Sequence, residues 1–222
     1  FDAPVLIRIP QIAQQRLQEI RAAFSTAIEE SDFQGRYTCI YPCKVNQHSS
    51  VIEAMQASHG EGRETCGGAG LEAGSKAELL AILPIARPGV PILCNGFKDV
   101  AYIEMALRAQ RLGLNVHIII EKPTEFQLAI DVGHRLGVEP KLGVRVKLAA
   151  RGSGHWEATG GNKSKFGLSV TELLSGIQRL RDCGMEQCVQ LLHFHLGSQI
   201  TDVRRLKAAV IEATRILSLI HI

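Results

Sequence analysis

The chain has 222 residues, 45% of them hydrophobic and 21% charged, with a formal net charge of +3. This balance excludes a disordered polymer, and so mild a basic excess argues against a nucleic-acid binder. No apolar run reaches the roughly 18 residues that cross a bilayer. No secretory leader opens the sequence, so a cytoplasmic protein without a membrane partner is expected.

The predicted elements alternate. A helix over Pro10–Glu30 precedes an extended apolar run at Arg36–Val45. Then follow a helix at Val51–Ser58, a strand at Gly70–Ala73 and a helix at Lys76–Leu83. The pattern continues with a strand at Val90–Asn95, a helix at Val100–Leu112 and a strand at Asn115–Ile120. A helix at Glu125–Leu136, a strand at Pro140–Leu148 and a helix at Thr171–Cys183 come next. The series closes with a strand at Val189–Leu196 and a helix at Val203–Leu217.

The helices carry apolar residues at steps of three and four, as in the stripe of Ile103, Ala106, Leu107 and Leu112. Asp99 and Pro123 are good starting residues, and Gly113, Gly137 and Gly184 good stops. Strands alternating with helices imply βαβ units and a parallel sheet, in a Rossmann-like open sheet or a (β/α)8 barrel. No G-x-G-x-x-G follows the first strand, which weakens the dinucleotide alternative. A barrel would be short of about two of its eight units.

Two segments stand out. Ala149–Lys165 is a polar, Gly-rich loop of a length that is usually functional or disordered. Ile216–Ile222 is an apolar ending without a polar cap, which suggests a fragment or a foreign tail. The six cysteines, Cys39, Cys43, Cys66, Cys94, Cys183 and Cys188, form no C-x-x-C pair. They read as reduced thiols rather than zinc or redox sites.

Candidate chemistry collects where strands end, because in parallel β/α proteins these ends face the site. Lys44 closes the first strand, where a partly dry pocket would suit a Schiff-base amine. A solvated surface lysine fits the position equally well. His193 and His195, two residues apart, share one strand face. No third ligand marks a metal site there, and a packed, hydrogen-bonded pair is the plainer reading. Gly197 and Ser198 follow, and can offer an N–H and a hydroxyl to an anion such as phosphate. Glu72 ends the second strand and Glu78 lies in the next helix. Arg145 sits within the fifth strand, where a buried guanidinium requires a carboxylate or an anionic ligand.

The ordered set YPCKVNQ, GLEAGSKAEL, ILCNGFKD, LGVRVKLAARGSGHWEATGGNKSKFGLS and HFHLGSQI resembles the biosynthetic arginine decarboxylases. The resemblance runs from about Pro4 to Arg215. It implies an α/β fold, an incomplete (β/α)8 TIM-like barrel of the alanine-racemase type. On that reading residues 1–35 are a helical lead-in, 36–215 a truncated cofactor-binding barrel and 216–222 a non-native tail. It implies pyridoxal 5′-phosphate as cofactor and decarboxylation of L-arginine to agmatine in polyamine biosynthesis.

By position, Lys44 matches the lysine that bonds the cofactor, and His195 the histidine stacked on its ring. Ser198 matches the phosphate-binding residue, and Glu72 and Arg145 residues lining the pocket. The resemblance further implies a magnesium requirement, although no carboxylate cluster marks a site. It also implies a homo-oligomer, with parts of the site in sequence beyond residue 222. Diaminopimelate decarboxylase, a related racemase and a non-catalytic cofactor carrier are the competing readings.

Overall fold

The structure is a computed structural model that describes residues 4–57, 68–149, 166–197 and 200–220. The chain divides into two compact units, residues 1–94 with 112–116, and residues 95–111 with 117–222. In each unit, parallel strands follow one another in chain order with helices between them.

In the first unit, α1 (Pro10–Glu30) starts with proline in its first turn, where the missing N–H is no loss. Gln14 Nε2 donates to Ala54 O of α2 (Ser49–Ala57) at 3.2 Å, and the Phe24 and Tyr37 rings stack with centroids 3.9 Å apart. Strands β1 (Ile40–Pro42), β2 (Gly70–Ala73) and β3 (Pro91–Cys94) pair in parallel, with Tyr41 beside Leu71 and Leu71 beside Ile92. Gly70 is required in this ladder: a Cβ there would run into the Ile40 side chain and the Pro91 carbonyl. Between β2 and β3 lies α3 (Lys76–Ile82), its N-terminus capped by Ser75, whose hydroxyl accepts from Glu78 N–H at 3.2 Å.

The first strand is shorter than the apolar run at Arg36–Val45. Proline at 42 brings no N–H to a ladder, and the chain turns into a 3-10 turn over Cys43–Val45. Lys44 therefore sits on that turn, two residues beyond the strand's last position.

The second unit contains α4 (Val100–Arg111), the end of β4 (Asn115–Ile120), α5 (Pro123–Leu136) and β5 (Leu142–Arg145). It continues with α6 (Val170–Asp182), β6 (Val189–His193) and α7 (Val203–Ile220). Ile119 pairs with Gly143, which in turn pairs with Leu191. Asp99 caps α4 by accepting from Tyr102 N–H at 2.9 Å, and α5 starts at Pro123, as expected of both residues. Buried Tyr102, Ile103, Ala106 and Leu107 form the inner stripe of α4, whereas Leu112, expected on the same stripe, lies just past the helix end and is exposed. A fully buried large side chain of this kind contributes about 1.5–3 kcal/mol.

Helices α5 and α6 approach so closely that a Cβ at Gly176 would overlap the Phe126 ring. Helix α6 opens with a full capping box between Ser169 and Glu172. Helix α7 runs to Ile220 and buries Ala209, Ala213 and Ile216. Strand β6 ends at His193, so the strand face expected to carry both histidines does not extend to His195. No helix among the described residues is long and apolar enough to cross a membrane.

Candidate active site

In the first unit, Lys44 and Glu72 come together at the ends of β1 and β2. Register pairs Pro42 with Glu72, so the turn after β1 sets Lys44 next to that carboxylate. Lys44 Nζ lies 3.8 Å from Glu72 Oε1, and the two side chains are 63% and 18% exposed. The dry pocket expected around Lys44 is thus not built by the described residues of this unit, because the 3-10 turn lifts the side chain into water.

Glu78 braces the neighbourhood. Its Oε1 accepts from Gln47 Nε2 at 2.7 Å and its Oε2 from Gly74 N–H at 2.6 Å. It therefore ties α3 to both strand ends and is more than a solvated helical residue. Burial pushes the neighbouring Cys43 thiol up to about 11, with the charges of Glu78 and Glu72 adding to the effect. Cys43 stays a thiol at neutral pH and is no nucleophile.

The second unit holds a drier set. Arg145, the last residue of β5, donates from Nη1 to Glu121 Oε1 at 2.6 Å. These side chains are 15% and 1% exposed, so the expected carboxylate partner is present and an outward-facing arginine is not. The guanidinium lies 5.7 Å from the Phe166 ring centroid. Lys98 Nζ lies 3.3 Å from Glu125 Oε2, with both side chains almost completely buried.

The imidazole of His193 is pushed down to about 4, chiefly by burial and then by the Arg145 charge, with Glu121 opposing. It is neutral at pH 7. His195, just past the strand, is exposed. Ser198 and most of the Ala149–Lys165 loop lie outside the described residues, as does Cys66.

Lys98, Glu121 and Glu125 were not among the candidates drawn from the sequence. Their signal was present: each is a charged residue within a few positions of an apolar strand's end, in PILCNGFK and NVHIIIEKPTE.

Three buried polar atoms in this unit, Asn95 Oδ1, His117 Nδ1 and His193 Nδ1, bond no protein atom among the described residues. Asn95 and His193 stand at strand ends, and their atoms leave hydrogen-bonding capacity for a polar ligand. Within this unit they stand with an arginine held at 145 and an exposed imidazole at 195, groups suited to a polar, anionic aromatic ligand. In the first unit, taken by itself, Lys44 is a primary amine able to bond an aldehyde. Among the described residues no three His, Cys, Asp or Glu side chains gather to hold a metal ion.

Residues 17–221 match the family described as pyridoxal-dependent decarboxylase, pyridoxal binding domain. The chain is 49% identical over 216 residues to a biosynthetic arginine decarboxylase of Rhodopirellula baltica, covering 97% of this chain and 32% of that protein. It is 46% identical over 215 residues to one from Pseudomonas aeruginosa, covering 97% of this chain and 33% of that protein. The chain thus spans about a third of the length of the curated relatives it matches.

The crystal structure of the biosynthetic arginine decarboxylase from Campylobacter jejuni superposes with a TM-score of 0.80 at 33% identity, covering 94% of this chain and 33% of that one. Diaminopimelate decarboxylase from Helicobacter pylori gives 0.69 at 21% identity, over 92% of this chain and 48% of that one, a likeness of fold.

Proposed function

This chain belongs to the pyridoxal-dependent decarboxylases, and from that premise we propose that it is the cofactor-binding part of an enzyme converting L-arginine to agmatine and carbon dioxide. The observation that carries the reading is Lys44: a primary amine fixed at a strand end beside the Glu72 carboxylate, 3.8 Å away. Arginine as substrate is supported by identities of 46–49% to biosynthetic arginine decarboxylases along nearly the whole chain. The word biosynthetic in those names supports a supply role, here assigned to polyamine formation in the cytoplasm.

When bound, pyridoxal 5′-phosphate supplies an electron-accepting ring that takes up the charge left at Cα as carbon dioxide departs. Lys44 would hold the aldehyde end; by the family resemblance His195 would lie against the ring and Ser198 would bind the phosphate. Arg145, clamped by Glu121, presents a guanidinium whose orientation is set before any ligand arrives, which limits the ordering cost on binding. Glu72 places a carboxylate 3.8 Å from the Lys44 amine, an electrostatic partner at the strand end. Neutral His193 brings a polar atom into the interior without a second positive charge beside Arg145.

The test uses the full-length protein with pyridoxal 5′-phosphate. Borohydride reduction should fix the cofactor onto the peptide containing Lys44, and Lys44→Ala should abolish the labelling. Arginine should release carbon dioxide and diaminopimelate should not. Labelling that survives Lys44→Ala, or consumption of diaminopimelate in place of arginine, overturns the assignment.

A further inference from the structure

The buried charges of the second unit form a chain of contacts. Glu125 is the third residue of α5, yet its carboxylate reaches back past the helix start. Oε2 accepts from Glu121 N–H at 2.7 Å and from Lys98 Nζ at 3.3 Å, while Oε1 accepts from Lys98 N–H at 3.3 Å. Lys98 Nζ also donates to Gly96 O at 2.7 Å. One residue, Glu125, therefore joins the segment after β3 to the residue that follows β4. That residue is Glu121, whose carboxylate clamps Arg145. Its carbonyl accepts from Gly167 N–H at 3.1 Å, so its main chain is held on both sides.

We infer that Lys98 and Glu125 are positioning residues: their contact fixes the main chain at Glu121, and through Glu121 the Arg145 guanidinium. The inference rests on the proposed function, which places Arg145 in the cofactor pocket.

Charge balance alone does not explain the arrangement. A buried ion pair replaced by apolar residues of similar size often leaves a protein as stable or more so. An apolar pair would serve if neutralisation were the whole role. It cannot accept the Glu121 N–H, which would become a buried donor with a lost partner. Placing the acceptor at the first turn of α5 adds the favourable interaction of a carboxylate with a helix N-terminus. The pair's particular contribution is thus the direction of one backbone N–H, and with it the aim of the side chain that residue carries.

The prediction separates position from charge. In the full-length protein, Lys98→Met with Glu125→Leu should still fold, its thermal midpoint lowered only by the few degrees that unpaired buried N–H groups cost. Its dissociation constant for pyridoxal 5′-phosphate should nevertheless rise about 10-fold, the usual scale for loss of an orienting contact. The Glu121 amide should exchange with solvent at least about 10-fold faster as its acceptor is lost. Glu125→Gln keeps an acceptor oxygen and should hold both values within about threefold of the parent. In a Glu121→Ala background, Glu125→Leu should add no further loss of affinity, since the two act in series.

Parent-like affinity and amide exchange in the double variant overturn the inference, as do additive losses in the Glu121→Ala background. Where the double variant does not fold, Glu125→Gln decides. Lost affinity with the amide still protected would mean that charge matters and position does not. A parent protein that never takes up cofactor at Lys44 sinks the proposed function instead, while amide exchange at Glu121 still reports whether the pair holds that strand end.

Discussion

Among the described residues two lysine–glutamate pairs stand near strand ends, and they differ in nearly everything except chemistry. Lys44 and Glu72 are 3.8 Å apart, with the lysine side chain 63% exposed. Lys98 and Glu125 are 3.3 Å apart, with side chains 1% and 2% exposed. The first amine is free to meet a small molecule because water surrounds it and its partner holds it loosely. The second is locked, since removal of either member would strand a charge in a dry interior. Burial, more than residue type, divides an amine that a small molecule can reach from one that holds a shape.

The sharpest way to break this comparison is to remove each lysine in turn. Lys98→Met should cost on the order of 3–5 kcal/mol, because Glu125 would be left charged and buried. Lys44→Met should cost less than about 1 kcal/mol, the range of an exposed pair. Urea unfolding of the two full-length variants reads the difference directly. Equal losses would show that burial does not separate the pairs.

Acid should find the dry unit next. His193 and His117 are both pushed down to about 4 by burial, against an ordinary 6.5, with the Arg145 charge and the Lys141 charge respectively as the next causes. Between those values the unfolded chain binds protons that the folded protein does not. Stability is therefore complete above pH 6.5, falls as pH drops towards 4, and levels below that. His193 accounts for a loss on the order of 3 kcal/mol across the window, and His117, more open to water, for less. His193→Gln should flatten the profile between pH 4 and 6.5. An unchanged slope would mean that His193 is already protonated in the fold.

Much of the architecture was legible because its causes are local. Gly70–Ala73 and Asn115–Ile120 are strands with the expected ends, and the helix at Pro10–Glu30 is reproduced in full. Gly113, Gly137 and Gly184 take the positive φ angles that a helix stop favours. The first strand misled because apolar residues continue past Pro42, where hydrogen-bonding rather than hydropathy ends the ladder. The site was half legible. Arg145 announced a partner because a guanidinium inside an apolar strand requires one. Glu121 and Glu125 did not, because an acidic residue at a helix start is equally at home in water. Only the fold, by turning α5 back over the end of β4, makes Glu125 a buried bracket.

Salt gives the smallest and most selective effect. Raising ionic strength from about 0.05 to 0.5 M shrinks the Debye length to a few ångströms and weakens solvent-exposed pairs far more than buried ones. The energetic contribution of Lys44–Glu72, taken from a double-mutant cycle with Lys44→Met and Glu72→Gln, should fall from a few tenths of a kcal/mol towards zero. A cycle on Lys98–Glu125 should hardly respond, since ions do not reach a side chain that is 1% exposed. If both cycles were to lose the same fraction, the interior around Lys98 would have to admit water and ions. The distinction between the reactive amine and the holding one would then rest on distance alone, and 0.5 Å is too small a difference to carry it.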